Sequence, residues 1–334
     1  MKTLAGNIAI FVPHSGCPQQ CSFCNQRTIS GTMTIPTGET AYNICKEALE
    51  TLPERVGKVE IAFFGGSFTA VKREYMLELL QAVNPFLNDE RVIGIRCSTR
   101  PDAIDDERLD ILKKYGVTAI ELGAQSMDSE VLSLNKRGHT AEDVINASRL
   151  IKEYGFSLGL QMMTGLFGST EETDIASAEK LAALEPDTIR IYPTVVLKHT
   201  DLYEYQRMGL YKAPDVEETL PRLIRIRKIF KDKNITIIRT GLHASETMEE
   251  DIVGGCYHQA LGELCINAEI LEEIKEKLKN IDTKDIHIVV NPRKYSMVVG
   301  QKKRNIQKLT EMGYSVQVTQ GDTNMNETYI LKAK

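Results

Sequence analysis

The sequence lacks a long hydrophobic run, an internal repeat and a low-complexity stretch. Its longest early apolar run, Ile8 to Val12, is far shorter than the roughly 20 residues of a membrane helix. We therefore expect neither a membrane span nor a signal peptide, and a cytoplasmic location. With 334 residues, 42% hydrophobic and 26% charged, the chain is typical of a soluble protein with one large and one smaller domain.

A disulfide framework is also missing. The seven cysteines are an odd number, and three of them fall within SGCPQQCSFCNQ, residues 15 to 26. This bunching favours a ligand cluster in a reducing compartment over disulfide bonds. The four remaining cysteines are expected to be packing residues: Cys45, Cys97, Cys256 and Cys265.

The cysteine loop lacks a fourth ligand. Structural zinc sites use four closed ligands, and neither a second C-x2-C pair nor a His pair stands at a suitable position, so zinc is disfavoured. A cubane iron-sulfur cluster held by three cysteines instead leaves one iron open for a small molecule. The loop follows the first predicted strand, where barrels of parallel strands place their active sites.

Apolar, β-branched segments alternate with amphipathic segments about every 30 residues as far as Thr240. This rhythm predicts six or seven βα units and a parallel sheet that forms part or all of a barrel. The predicted strands are NIAIFVP, KVEIAFFGG, VIGIRCS, TAIELGAQS, SLGLQMM, DTIRIYP and ITIIRT.

The end of the chain has a different pattern and charge. Residues 281 to 334 read as strand, helix, strand, strand and carry nine Lys or Arg against five Asp or Glu, so that this end is +4 and residues 1 to 280 are −9. We predict a barrel over residues 1–245, a connector with a helix over 246–280 and a small basic α/β module over 281–334.

The motif C-x3-C-x2-C, with Phe23 before its last cysteine, resembles the radical S-adenosylmethionine (SAM) superfamily. The resemblance implies a partial (β/α)6 TIM-type barrel and a 4Fe-4S cluster on Cys17, Cys21 and Cys24. It also implies that the open iron chelates the amino and carboxylate groups of SAM, which an electron then cleaves to methionine and a 5'-deoxyadenosyl radical. Phe23 is expected beside this cofactor.

Polar residues end successive predicted strands and should converge on one rim. Their order along residues 5 to 240 resembles two related families, the catalytic subunit of Elongator and oxygen-independent coproporphyrinogen dehydrogenase. That resemblance implies that Gly65, Gly66 and Ser67 hold the SAM amino group. It further implies a contact of Gln125 with the ribose, of Arg137 with the carboxylate, of Gln161 with the ribose or adenine, and of Ser98 with the ribose or amino group, where both families usually have Glu.

The segment from Arg190 to Pro214, RIYPTVVLKHTDLYEYQRMGLYKAP, favours the Elongator family. It resembles the run of Tyr, Pro, Thr and Lys after the sixth strand of that family, followed by a Leu-Tyr pair and Gly-x-Tyr. Tyr192 and Lys198 are therefore expected on the substrate side of the barrel, as catalytic candidates. Elongator enzymes also carry a long acetyltransferase-like domain, which this chain has no room for, so acetyl-CoA chemistry is not expected.

The terminal module resembles a KH fold, in which a G-x-x-G loop between two helices clamps a nucleic-acid backbone. Gly300 occupies the first glycine position, Lys303 stands at the second, and Lys302 and Arg304 add positive charge. These four residues are the predicted RNA-binding loop. A solvated basic helix start in a small cap domain is the alternative.

Taken together, these resemblances imply a radical SAM enzyme that modifies RNA, with tRNA the expected class. They also imply an electron donor such as flavodoxin or ferredoxin. An enzyme acting on a small molecule or a tetrapyrrole is one alternative. An RNA-binding protein with a structural cluster is the other.

Overall fold

The computed structural model describes residues 4–12, 16–17, 20–25, 34–53, 56–242, 246–322 and 324–333. These residues fall into two compact units, one within residues 1–219 and 226–257 and the other within 220–225 and 258–334.

The first unit is built on a seven-stranded sheet with the order β1-β2-β3-β4-β5-β6-β8, and every neighbouring pair in it is parallel. The sheet curls into a half-barrel, which confirms the predicted fold class. The strands of this unit are β1 (Leu4–Val12), β2 (Val56–Gly65), β3 (Val92–Thr99), β4 (Val117–Gln125), β5 (Ser157–Thr164), β6 (Thr188–Pro193), β7 (Val195–Leu197), β8 (Thr236–Thr240) and β9 (Ile252–Gly255).

Helices follow the strands and carry apolar faces toward the sheet. The helices are α1 (Gly38–Glu50), α2 (Arg73–Val83), α3 (Asp106–Lys114), α4 (Ser129–Leu134), α5 (Ala141–Glu153), α6 (Glu171–Ala183), α7 (Asp201–Arg207), α8 (Val216–Asp232) and α9 (Glu246–Glu249). Helices α3, α5 and α6 pack against β4 and β5. Their buried residues, such as Leu109, Ile151 and Leu181, form the outer core between helices and sheet.

The helix starts are set locally by capping side chains. At Thr140 and Asp215 the side chain accepts a hydrogen bond from the third helical residue, whose own side chain bonds back to the cap. Such capping boxes satisfy amides that have no partner inside the helix. They fix where each helix begins, and with it the length of the preceding loop at the carboxyl end of the sheet.

The second unit has a three-stranded sheet of order β11-β10-β12, in which β10 pairs parallel to β11 and antiparallel to β12. Its elements are α10 (Leu261–Leu278), β10 (Asp285–Val290), α11 (Tyr295–Val299), α12 (Arg304–Glu311), β11 (Ser315–Gln320) and β12 (Tyr329–Ala333). The predicted succession of helix, loop, helix and strand is present from α11 to β11.

Helix α10 contributes to the core of this second unit, where the sequence pattern predicted a connector. Ile270, Ile274 and Leu278 pack with Ile286 and Ile288 of β10. The second unit, within residues 220–225 and 258–334, thus includes α10, whereas the predicted module begins at residue 281. None of the helices in the described part of the chain is long and apolar enough to cross a membrane.

Candidate active site

A cavity of about 490 Å³ opens at the carboxyl ends of the barrel strands and is lined by residues of the first unit alone. Of the predicted site residues, the structure places here the three cysteines and Phe23, the Gly-Gly-Ser segment, and polar residues of β3 to β6. These residues are Cys17, Cys21, Phe23, Cys24, Gly65, Gly66, Ser67, Ser98, Gln125, Arg137, Gln161 and Tyr192.

The cysteine loop is anchored through its middle residue. Ser22 is buried; its amide donates to the Asn135 carbonyl at 3.2 Å and its Oγ donates to Asn135 Oδ1 at 2.7 Å. Its own carbonyl accepts from the amide of Leu202 at 2.9 Å. The Cys24 amide closes a turn onto the Cys21 carbonyl at 3.1 Å. These bonds hold the two flanking cysteines on the cavity side of the loop.

Two glycines permit close packing of loops at this rim. Gly16 has φ +74°, and a Cβ there would lie 2.3 Å from the Ser67 carbonyl oxygen. Gly65 has φ +105°, and the next amide, of Gly66, donates to the Val12 carbonyl at 2.8 Å. Only glycine allows this approach without strain, so the cysteine loop lies directly against the Gly-Gly-Ser segment.

Ser67 joins that segment to the end of β3. Its hydroxyl forms a 2.8 Å bond with Thr99 Oγ1 and accepts from the Arg100 amide at 3.0 Å. The Arg100 side chain turns back to Asp102, with Nε at 2.6 Å from Oδ1, and donates from Nη2 to the Arg137 carbonyl at 2.9 Å. Burial alone would raise the pKa of Asp102, but the bond with Arg100 holds that pKa below its usual value.

Gln125 and Arg137 line the cavity, and each has a buried polar atom. Gln125 ends β4 with φ +64°, an uncommon conformation for a residue other than glycine. Its Oε1 and the Nε of Arg137 are buried, and neither has a hydrogen-bond partner among the described residues. Buried polar atoms are rarely left unsatisfied, but both atoms are closed off from solvent here, so a ligand in the cavity would reach them only after a shift of the side chain.

A line of paired residues crosses the inner face of the sheet. Gly123, Gln161, Arg190 and Arg239 are register partners on β4, β5, β6 and β8, and all four line the cavity. Register partners of parallel strands point to the same face. This inner face therefore offers one amide and two guanidinium groups to a ligand.

Glu121 fixes the positions of two of these residues, Gln161 and Arg190, through hydrogen bonds. It is 1% exposed and accepts two bonds from Arg190, at 2.7 and 3.0 Å, and one from Gln161 Nε2 at 2.9 Å. A second cation, Arg96, donates to it at 3.1 Å and also pairs with Glu60. Burial would raise the pKa of Glu121, but the bonds and charge of Arg190, aided by Gln161 and Arg96, lower it, so that this carboxylate is ionised.

Tyr192 lies beside Arg190 at the same end of the cavity. Burial raises the pKa of its phenol, although the charge of Arg190 opposes the rise, so the hydroxyl is protonated at neutral pH. Lys198 does not join it. The structure places Lys198 outside the cavity lining, with Nζ donating to the Glu250 carbonyl at 2.7 Å and 3.8 Å from Asp251.

The chain matches the family model of the radical SAM superfamily over residues 11–181. It belongs to the radical SAM superfamily. A second model, the radical SAM C-terminal domain, matches residues 186–276. Radical SAM enzymes use a 4Fe-4S cluster and SAM, and these are the cofactors of this radical SAM enzyme.

The similar curated proteins confirm the resemblance to the Elongator family. The tRNA uridine(34) acetyltransferase of Methanocaldococcus jannaschii is 30% identical over 302 residues, which cover 75% of this chain and 56% of that protein. Elongator complex protein 3 of Homo sapiens is 28% identical over 244 residues, covering 64% of this chain and 44% of the human protein. This radical SAM chain thus spans about half the length of the curated relatives it matches.

A solved structure supports the fold. The archaeal Methanocaldococcus infernus Elp3 with an N-terminal deletion (1–46) superposes with a TM-score of 0.63 at 24% identity, covering 84% of this chain and 64% of that one. At this identity the likeness concerns the fold, which is the half-barrel of radical SAM proteins.

The residues of the cavity fit the cofactors of the superfamily. Three cysteines line one wall, and two buried guanidinium groups, of Arg100 and Arg137, lie where they offset thiolate charge. No group of three or more His, Cys, Asp or Glu in the described ranges converges tightly enough for a single metal ion. A cluster does not need that convergence, because each cysteine binds a different iron. Gln125 and Arg137 line the same cavity as the cysteines.

Several cavity residues were not predicted from the sequence. Arg100 and Arg190 line the cavity, whereas Glu121 is buried outside its lining. Glu121 and Arg190 stand inside predicted strands, but their roles depend on which strands become neighbours. The available signal was a charged residue within an apolar strand, since such residues are seldom buried without a partner or a function.

Proposed function

We propose that this enzyme binds SAM at a cluster held by Cys17, Cys21 and Cys24 and modifies RNA, with tRNA the expected substrate. Cys17, Cys21 and Cys24 would hold the cluster. Reduced by a donor such as flavodoxin or ferredoxin, it would supply the electron for the cleavage of SAM to methionine and a 5'-deoxyadenosyl radical. The observation that carries the proposal is that the three cysteines and the polar ends of β2 to β6 line one cavity.

The chain's own residues bind and orient SAM. In this proposal, the backbone at Gly65 and Gly66 approaches the amino group, with Ser67 fixed beneath it by Thr99. Gln125, which ends β4 and lines the cavity, contacts the ribose through its side-chain amide. Ser98 and Gln161 contact the ribose and adenine of SAM, and Gln161 Nε2 lies 3.4 Å from Ser98 Oγ.

The apolar part of the lining serves to exclude water from the radical. Phe11 and Phe64 are neighbours on β1 and β2, with ring centroids 6.3 Å apart, and both line the cavity. Water exclusion protects a reactive intermediate and strengthens each polar contact inside the site. Tyr192 remains the proposed substrate-side residue. Lys198 lies outside the cavity lining and has no role in the proposed reaction.

The loop of the second unit supports RNA as the substrate. Gly300 has φ +79°, and a Cβ there would meet the Asn305 side chain at 3.0 Å, so glycine is required. Lys302 and Lys303 are exposed and both adopt left-handed conformations, at φ +53° and +61°. Lys303 thus takes the backbone shape of the second glycine in a G-x-x-G loop while adding a charge for phosphate.

The relatives support the same substrate class. The two Methanocaldococcus relatives are named tRNA uridine(34) acetyltransferases, and this chain covers 56% of the Methanocaldococcus jannaschii protein. Acetyl transfer is therefore not part of the proposal. Incubation of RNA with the reduced holoenzyme and SAM, followed by mass spectrometry of nucleosides, should show a mass shift in one nucleoside.

The contribution of the loop is tested by changing Lys302, Lys303 and Arg304 together to Glu. Because each phosphate contact releases counterions, we expect weaker RNA binding and a slope of log affinity on log salt that is lower by about 2. A control variant changes three exposed lysines of the first unit to Glu, with the same net charge: Lys46, Lys228 and Lys233. If both variants bind RNA alike across a salt titration, a small-molecule substrate becomes the better account.

A further inference from the structure

Arg137 is bonded to a cysteine of the cluster loop. Its Nη1 donates to Cys21 Sγ at 3.0 Å, and both side chains are 8% exposed. A charged donor in a poorly solvated wall interacts more strongly than the same donor in water. The contact therefore places a positive charge beside any group that Cys21 binds.

The guanidinium is fixed from several sides. Nη2 donates to the Gly123 carbonyl at 2.6 Å, and the group lies over the Phe23 ring at 5.9 Å from its centroid. Arg100 donates to the Arg137 carbonyl at 2.9 Å and is itself clamped by Asp102. A side chain held in this way does not need to reorganise when charge appears beside it.

These contacts limit what Arg137 can offer to SAM. A forked contact with a carboxylate uses two nitrogens of a guanidinium. Each terminal nitrogen gives one of its two N–H groups to a protein partner, so one N–H on each terminal nitrogen and the Nε–H remain. The bond to Cys21 is therefore compatible with a further contact to the SAM carboxylate, and the two roles are separated by experiment.

We propose that Arg137 is a positioning residue whose N–H···S bond to Cys21 raises the reduction potential of the cluster bound there. This inference rests on the proposed function, because it requires the cluster. Reduction adds one electron, taken from a low-potential one-electron donor, and forms or breaks no bond to Arg137. The added negative charge is stabilised by a fixed positive donor at the ligand sulfur, and hydrogen bonds to sulfur are a known determinant of cluster potentials.

The test is a redox titration of the anaerobic holoenzyme, followed by electron paramagnetic resonance and performed without SAM and RNA. Arg137→Ala should lower the equilibrium constant for reduction about tenfold, which is a midpoint about 59 mV more negative. Arg137→Lys, which keeps the charge, should stay closer to the parent than Arg137→Gln. Arg149→Gln, on the exposed face of α5, is the matched control and should not move the midpoint.

Equal midpoints for the parent and Arg137→Ala, with four irons in each, would overturn the inference. Weaker SAM binding in that variant at an unchanged midpoint would return Arg137 to the SAM carboxylate. If Arg137→Ala loses iron, the Gln and Lys variants decide; loss in all three would make the residue structural. A parent protein that binds no cluster would instead refute the proposed function itself.

Discussion

His139 is buried two residues after Arg137, and its Nε2 lies 3.1 Å from the Ala124 carbonyl. Burial lowers its pKa from 6.5 to about 4, and the charge of Arg137 adds to the effect. The imidazole is therefore neutral at pH 7, donates from Nε2, and leaves Nδ1 without a partner among the described residues. The neutral His139 ring therefore packs near Arg137 without adding a second positive charge.

Because burial lowers the pKa of His139, the folding stability of the protein depends on pH. Between pH 6.5 and about pH 4 the unfolded chain binds a proton at His139 that the folded chain does not, so stability falls as the pH falls through that window. His139→Gln keeps an N–H for Ala124 and removes the proton site. We expect the loss of unfolding free energy between pH 7 and pH 4.5 to be smaller in the variant, by about 2 to 3 kcal/mol. Urea denaturation of the apoprotein at both pH values measures this, and equal losses would contradict a neutral buried imidazole.

Single residues of the site were predictable where the sequence itself brings them together. The three cysteines and Phe23 lie within eight positions, so their shared chemistry is visible before folding. Arg100 was not predictable, because its partners are Asp102 and the carbonyl of Arg137, a residue 37 positions away.

At the scale of elements, strands β4, β5 and β6 are joined by the ionic array around Glu121. Removing one partner of a buried ion pair leaves uncompensated charge, which typically costs about 3 to 5 kcal/mol. Glu121→Gln retains the size of the side chain but leaves Arg190 and Arg96 without a carboxylate in common. We expect it to lower the free energy of unfolding by this amount, as measured in urea.

Glu153→Gln provides the matched control for Glu121→Gln. Glu153 pairs with Arg149 one turn away on the exposed face of α5, where such a pair contributes about 0.5 kcal/mol or less. A cost for Glu121→Gln no larger than that of the control would contradict the assigned role of the array.

The seven barrel strands were predictable because apolar, β-branched segments recur about every 30 residues between amphipathic ones. The short pair of β7 with β9 was not, since strands of three and four residues, one ending in Gly254 and Gly255, give no periodic signal. Helix α10 was recognised as a helix, but its charged face hid the apolar stripe that packs into the second unit. Periodicity predicts an element, while its partners depend on tertiary packing.

At the scale of the molecule, the charge of the cavity lining differs in sign from the net charge of the chain. Four arginines and no Asp or Glu are found among the described residues that line the cavity: Arg100, Arg137, Arg190 and Arg239. The chain as a whole is nevertheless acidic, with a net charge of −5. Positive charge is thus concentrated where the account places anionic groups, which are the cluster thiolates, the SAM carboxylate and, at the loop of the second unit, RNA phosphates.

The central claim is tested most directly by measuring 5'-deoxyadenosine released from SAM by the reduced, anaerobic holoenzyme. The parent protein should bind about four irons and release this product. Cys21→Ala should abolish both. Cys45→Ala, in the buried interior of α1, should retain them. Release of 5'-deoxyadenosine by Cys21→Ala at the rate of the parent, or none from an iron-loaded parent, would contradict the account.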